Sequence, residues 1–385
     1  MINNESNILM IAGEHSGDSL GGELLFELRN NNLNCNYFGI GGNDMIAQGF
    51  HSLSNIEELN VMGFSGALLK YRSLKKIAIN IVKECKLKNV KIAILIDYPG
   101  FNLELSKMLK KDIKDIKIIF YVSPQIWAWK FNRIFKIKQY IDLILLLFPF
   151  EKKIYDKYNI DNVVVGHQLM GKMKTNFDNG KEIITEKDSV VITLMPGSRT
   201  GEITRLLEKM LDTAVLISKE YKNVEFIIPN INDKEDSYIQ NNIKKYTEKY
   251  DLKIQYQFHN SARSIEKADL VILASGTATL EVAYFKKPMI ILYINSFITH
   301  FIGKRLLQIP YVGLVNILSE KFICKEFLQS ECNPNNIFIE TNKILKEDKY
   351  REEMINNISL VKEGLGTGDA SKKSAMAILK LISSL

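Results

Sequence analysis

Cysteine is scarce in this chain of 385 residues: Cys35, Cys85, Cys324 and Cys332 are scattered, with no C-x-x-C spacing among them. They read as reduced thiols of a cytosolic protein, without a disulfide framework. Long apolar runs are missing too. A bilayer-spanning helix needs about 20 apolar residues, and the longest candidate, YIDLILLLFPF, carries Asp142 and Pro149 and suits a buried strand. The opening MINNESNILMIAGEHSGD is not basic where a signal peptide would be, so the chain is expected to stay in the cytoplasm, with any membrane contact peripheral. No helix-turn-helix, zinc finger or aromatic-basic signature accompanies the net charge of +7, so nucleic acid is not an expected partner. Internal repeats, low-complexity tracts, coiled-coil heptads and the G-x-G-x-x-G fingerprint are likewise absent.

What is present is the composition of a globular protein long enough for two domains. The positive charge is spread through Lys-rich helices, which favours anionic partners such as nucleotides, phosphorylated sugars or acidic lipid; an AT-rich genome accounts for the Lys, Ile and Asn content equally well.

The sequence reads as strand, tight turn and helix, over and over. In VILASGTATLEVAY (Val271 to Tyr284) a short apolar strand breaks at Ser275-Gly276-Thr277, and helical spacing then carries Glu281 one turn in. Such a turn opens a helix N-terminus to a phosphate and puts Glu281 beside a ribose; an ordinary strand-to-helix turn is the alternative. Asn7 to Ala12 is a strand, followed by the turn Gly13 to Asp18 and a helix from about Leu20 to Arg29. Glu14, Ser16 and Asp18 are too polar for a phosphate loop and suit hydroxyl recognition. YFGIGG and NDMIAQGF add a strand and a short helix. AILID ends at Asp97, on the strand edge where open parallel sheets bind ligands. A simple turn or N-cap acceptor is the plain alternative there. VVITLMPGSR places Ser198 and Arg199 at another such turn, with Arg199 poised to clamp a diphosphate or to lie idle on the surface.

Several stretches fit around this series. The pattern predicts a helix over Val61 to Val82, with Phe64, Leu68, Tyr71, Leu74, Ala78 and Val82 on one stripe, Leu69, Ile77 and Ile81 partly off it, and Lys70, Arg72, Lys75 and Lys76 interleaved. It reads as a surface helix packed on a core, and also as one lying on an anionic membrane. INSFITHFIGKRLL, with His300, is a second such mixture. Trp127 and Trp129, the two tryptophans, are core packing or part of an acceptor wall, and His167 follows a strand. An interdomain linker is expected over Lys172 to Asp188, and a final helix is expected with Asp369 or Ser371 as its cap.

Taken together, AGEHSGD, GIGG, VMGF, YVSPQIWAWK, FPFEKKIYDKY, VGH, MPGSR, ASGTATLE and YVGLVNIL resemble the lipid A disaccharide synthase family over nearly the whole chain. The resemblance implies a GT-B fold of class α/β, with two Rossmann-like domains whose parallel sheets face a central cleft. Residues 1–171 would form an acceptor-binding domain, joined by a C-terminal helix of about 368–385, and residues 189–367 a domain for the UDP-sugar. It implies an inverting transfer from UDP-2,3-diacylglucosamine to 2,3-diacylglucosamine-1-phosphate (lipid X), with no cofactor and no metal, at the cytoplasmic face of the inner membrane; a homodimer is a further expectation. Asp97 would be the base and Arg199 would stabilise the leaving diphosphate. Glu14, Ser16 and Asp18 resemble the family's donor-acceptor loop, and Ser198, Ser275, Gly276, Thr277, Glu281 and Asn316 its nucleotide side. Phe64, Leu68, Leu69, Lys70, Arg72, Lys75 and Lys76 would meet the membrane.

The chain departs from the family pattern at Tyr98-Pro99-Gly100, where APD is usual, at Gly66 in place of a glutamate, and at Gln168 and Val315 in place of prolines. Two rival readings share the architecture: a UDP-sugar 2-epimerase acting on a soluble donor alone, and a sugar-nucleotide sensor without turnover.

Overall fold

A computed structural model describes residues 5–54, 56, 67–127, 130–294 and 311–384, with residues 67–71 described by their backbone alone. Phe64, Gly66, Trp129, His300 and the side chains of Leu68, Leu69 and Lys70 lie outside the described residues. The chain divides into two compact units, one of residues 1–168 with 366–385 and one of 169–365.

The first unit is built on a seven-stranded parallel sheet: β1 (Asn7–Ala12), β2 (Asn36–Ile40), β3 (His51–Ser54), β4 (Ile92–Ile96), β5 (Lys117–Tyr121), β6 (Leu143–Leu146) and β7 (Asn162–Val164). They lie in the order β3-β2-β1-β4-β5-β6-β7. Runs such as IAILI and LILL are apolar at every position because both sheet faces are covered. Alternate residues feed two cores: Leu9, Ile11, Ala93 and Leu95 point to one, and Ile8, Met10, Ile92 and Ile94 to the other. Tyr140–Phe150 does contain a buried strand, and Asp142, at its start, pairs with Lys110 at 2.6 Å and accepts from the Ile118 N–H at 2.8 Å.

The second unit repeats the plan with β8 (Val190–Met195), β9 (Val224–Asn230), β10 (Ile254–Phe258), β11 (Leu270–Ala274), β12 (Met289–Tyr293) and β13 (Glu326–Leu328), a parallel sheet in the order β10-β9-β8-β11-β12-β13. Its helix Thr200–Glu220 buries Ile203, Leu206, Leu207, Met210, Leu211, Ala214 and Ile217, the three-and-four spacing of one helical face. Truncating one of these leucines to alanine is expected to cost about 2–5 kcal/mol.

Three expectations are revised. The segment read as linker from Lys172 starts inside a helix, Leu169–Asn179, that buries Leu169, Met170 and Met173 and belongs to the second unit. Its apolar anchors are too few for a clear periodic signal. The basic helix runs over Ala67–Leu87, and Ile77 and Ile81, expected off the packing stripe, pack inward with Ala78, Val82 and Cys85. Its solvent side carries Arg72, Lys75, Lys76 and Ile79. The final helix, Ala370–Ser383, belongs to the first unit and packs on helix His15–Asn30, with Ser371 Oγ donating to Glu23 at 2.9 Å. Asp369 takes its N-cap position, yet the carboxylate accepts from Thr367 (2.7 Å) and pairs with Lys373 (3.0 Å) instead of bonding the first turn. No helix among the described residues is long and apolar enough to cross a membrane.

Candidate active site

In each sheet the chain order reverses at one place, and several of the residues singled out from sequence lie there. β1 and β4 are neighbours, Ala12 opposite Ile96, so the turn Gly13–Glu14 lies beside Asp97–Tyr98 although more than 80 residues separate them in the chain. Ligands of open parallel sheets bind at such switch points, beyond the carboxyl ends of the strands. The approach is close: a Cβ on Gly13 would stand 2.6 Å from the Tyr98 ring.

Asp97 continues β4, its N–H donating to the Tyr121 carbonyl at 2.8 Å. Asp97 (φ 49°) and Tyr98 (φ 46°) both occupy the left-handed region, uncommon for non-glycine residues. The fully buried Asn102 ties this corner, its amide donating to the carbonyls of Asp97 at 2.7 Å and Ile96 at 3.3 Å. Burial pushes the Asp97 carboxyl above the usual range; the Tyr98 N–H opposes this and the charge of Glu14 adds to it. Burial dominates, and a carboxylate made more basic in this way is a better proton acceptor near neutral pH.

Glu14 and Ser16 are exposed at the rim. Asp18 is different. It is 4 % exposed, and its carboxylate accepts from the N–H groups of Gly42 (2.7 Å), Asp44 (3.0 Å) and Met45 (3.1 Å). Its carboxylate thereby caps the short helix that follows GIGG, a buried structural bond rather than an exposed group like Glu14 and Ser16.

The second switch point lies between β8 and β11. After β8 comes Gly197, whose φ of +114° suits glycine and whose missing Cβ leaves room for the Glu202 carboxylate. Glu202 reaches back to the N–H groups of Ser198 (3.2 Å) and Arg199 (3.4 Å), and pairs with the guanidinium of Arg199 at 3.0 Å. Asn232 donates to the Ser198 carbonyl at 3.0 Å from the turn after β9. The loop is therefore braced while the Arg199 side chain stays 83 % exposed.

After β11 the Ser275 hydroxyl donates to the Val312 carbonyl at 2.8 Å, and Thr277 is exposed beside Gly276. Helix Ala278–Tyr284 follows, with Glu281 in its first turn and its carboxyl raised by burial alone. Asn316 does not reach this rim. It is fully buried, donating to the Cys324 carbonyl (2.8 Å) and Glu326 (2.7 Å) and accepting from the N–H groups of Ile323 (3.0 Å) and Cys324 (2.9 Å). Glu326 in turn receives the Val312 and Gly313 N–H groups, both at 2.9 Å. Asn316 thus braces the Val312 loop from behind.

Strand pattern missed Glu326, Asn232 and a buried cluster at the ends of β5 and β6. In that cluster Glu151 accepts from the Phe148 N–H at 3.1 Å and from the indole N–H of Trp127 at 3.3 Å. The signal was a glutamate three residues into a Pro-started helix, a capping-box position.

The family described as lipid-A-disaccharide synthetase matches residues 8–379. The chain belongs to this family. A lipid-A-disaccharide synthase of Acinetobacter baylyi is 35 % identical over 382 residues, covering 97 % of this chain and 96 % of that one. The Vibrio campbellii enzyme of the same name is 36 % identical over 377 residues, with 97 % of each covered. Among solved structures, the S. aureus MnaA–UDP co-structure superposes with a TM-score of 0.65 at 13 % identity, covering 99 % of this chain and 98 % of that one. Acinetobacter baumannii MurG superposes at 0.60 and 13 %, covering 98 % and 99 %. At that identity the likeness is one of fold, GT-B, which epimerases and glycosyltransferases share. Membership in the family makes the chain a glycosyltransferase of lipid A disaccharide synthesis.

Proposed function

We propose that the two switch points divide the reaction between them. The activity is inverting transfer of 2,3-diacylglucosamine from UDP to the 6-hydroxyl of 2,3-diacylglucosamine-1-phosphate. The hydroxyl oxygen attacks the anomeric carbon, its proton passes to the Asp97 carboxylate, and the bond to UDP breaks on the opposite face. Arg199 and the turn Ser275–Thr277 take the negative charge of the leaving diphosphate, with Ser198 beside them and Glu281 on the ribose. Glu14 and Ser16 hold acceptor or donor hydroxyls next to Asp97. This division rests above all on Asp97, whose basicity burial raises at a switch-point edge.

Both substrates carry acyl chains, so the enzyme works at the cytoplasmic face of the inner membrane, held peripherally. The exposed Arg72, Lys75 and Lys76 support that docking mode, and Phe64, Leu68, Leu69 and Lys70 precede them in the same stretch.

The test is UDP release from both acylated substrates by the purified protein and its Asp97→Asn and Arg199→Ala variants. The proton acceptor accounts for about 100-fold or more. Asp97→Asn turnover within threefold of the parent, with folding intact, would overturn the assignment. Sedimentation of the same samples reads whether the enzyme is a homodimer.

A further inference from the structure

Glu151 lies in the first turn of helix Pro149–Lys157, and its bond to the Phe148 N–H is an ordinary capping-box contact. An exposed glutamate would serve that purpose equally well. This one is 2 % exposed. Besides the Phe148 N–H it binds the Ser123 hydroxyl, the Trp127 indole and the Leu147 N–H, and burial outweighs these bonds, holding its pKa up at about 7.

The partners matter more than the burial. Ser123 Oγ lies 2.7 Å from the Tyr155 hydroxyl and 3.1 Å from the Pro124 carbonyl, and Trp127 packs edge-on against Phe150 with ring centroids 5.3 Å apart. Tyr155 is the titratable group facing Glu151 from its own helix, with its pKa raised mainly by burial, and His167 stacks on the Phe148 ring at 5.6 Å. Phe148 N–H and the indole N–H can only donate. A proton on the carboxyl removes the charge that strengthens both bonds, and the longer one, to the indole at 3.3 Å, gives way more readily than the bond to a backbone N–H fixed at a strand end.

The turn so held leaves β5 directly beside the catalytic corner, since Asp97 N–H bonds the Tyr121 carbonyl two residues before Ser123. We propose that Glu151 is a positioning residue for the reaction assigned above: ionised, it fixes Trp127 and the Ser123–Trp127 turn beside Asp97, and on taking up a proton it lets them go. The inference rests on that functional reading for its consequence, which is weaker acceptor use in mild acid.

The test uses the full chain labelled with fluorotryptophan, the Trp127 resonance being the one lost in Trp127→Phe. That resonance should move with one proton around neutral pH, stay still in Glu151→Gln, and titrate at higher pH in Ser123→Ala, which keeps the carboxyl but removes a donor. In UDP-release assays the KM for the acceptor should rise about fivefold or more from mildly basic to mildly acidic pH in the parent and stay flat in Glu151→Gln, with kcat much less affected. A merely structural glutamate would leave the two profiles parallel. A pH-independent Trp127 resonance in the parent, or the same titration in Glu151→Gln, overturns the proposal. If Glu151→Gln does not fold, an unchanged midpoint in Ser123→Ala overturns it. A parent that releases no UDP defeats the functional reading, while the resonance still judges Glu151.

Discussion

The buried amide of Asn102 donates to the backbone carbonyl of Asp97 at 2.7 Å, across the point where β4 ends and the next helix begins. The two residues between strand and helix, Asp97 and Tyr98, have φ values of 49° and 46°. Left-handed backbone at non-glycine residues costs about 1–3 kcal/mol each and persists only when the surroundings enforce it. Asn102 is one such enforcing contact, and Gly13, by leaving space for the Tyr98 ring, is another.

Asn102→Ala should therefore damage catalysis as well as stability. The loss of a buried hydrogen-bonded amide is worth about 1–3 kcal/mol, and a misplaced Asp97 should lower kcat by about 10–100-fold. Thermal melts and UDP release on the same sample measure both. Normal turnover in a destabilised protein would show that the bond serves the fold alone.

Gly13→Ala should clash with Tyr98, which a Cβ there approaches to 2.6 Å. Reduced turnover is expected from the single variant, and partial recovery in Gly13→Ala with Tyr98→Ala, because the clash is pairwise. A double-mutant cycle with a coupling of about 0.5 kcal/mol or more supports this.

Arg199 and Asn316 should separate cleanly. Among the described residues Arg199 pairs with Glu202 on the surface, so Arg199→Ala should leave the melting temperature nearly unchanged while weakening UDP binding by about 10-fold or more, the worth of a charge-assisted bond. Asn316→Ala strips four buried bonds and should destabilise by about 2–5 kcal/mol. Calorimetry and UDP titration distinguish the two patterns.

The pH dependence of stability should carry the mark of Glu151. Burial raises its pKa from the ordinary 4.5 to about 7 on folding. A raised carboxyl favours the folded state most below its unfolded pKa, and that advantage falls as pH climbs to the folded value. Glu151→Gln removes the titration, so its melting temperature relative to the parent should increase from pH ~4.5 to ~7 and then level off. A pH-independent difference would contradict the raised pKa.

Replacing Arg72, Lys75 and Lys76 with glutamine should weaken binding to anionic vesicles, by about 1 kcal/mol per charge near the surface. UDP binding should not change. Vesicle flotation that ignores the substitutions would remove this helix as the docking element.

Much of the molecule was legible from local pattern. Runs such as IAILI and VVITLM announce strands buried on both faces, and Gly197 and Ser275-Gly276-Thr277 mark the turns after two of them. Asp97 stands out in the sequence because a charged residue closes an apolar strand, and Arg199 because it follows a Pro-Gly-Ser turn at the start of a helix. Glu326 and Glu151 were not, since each acquires its meaning from groups brought to it by other strands: the Val312 loop for one, Ser123 and Trp127 for the other.

By itself, then, the sequence determined the alternation of parallel strands and covering helices, and through its motifs the family. Hydrophobic periodicity and turn chemistry are local properties, readable along one dimension. Strand order is not local, and it alone set the Gly13 turn against Asp97. Nor is the identity of a polar side chain's partners. Asp18 and Asn316 look like ligand-facing residues in the chain, but tertiary contacts turned both inward, where buried backbone groups required their hydrogen bonds.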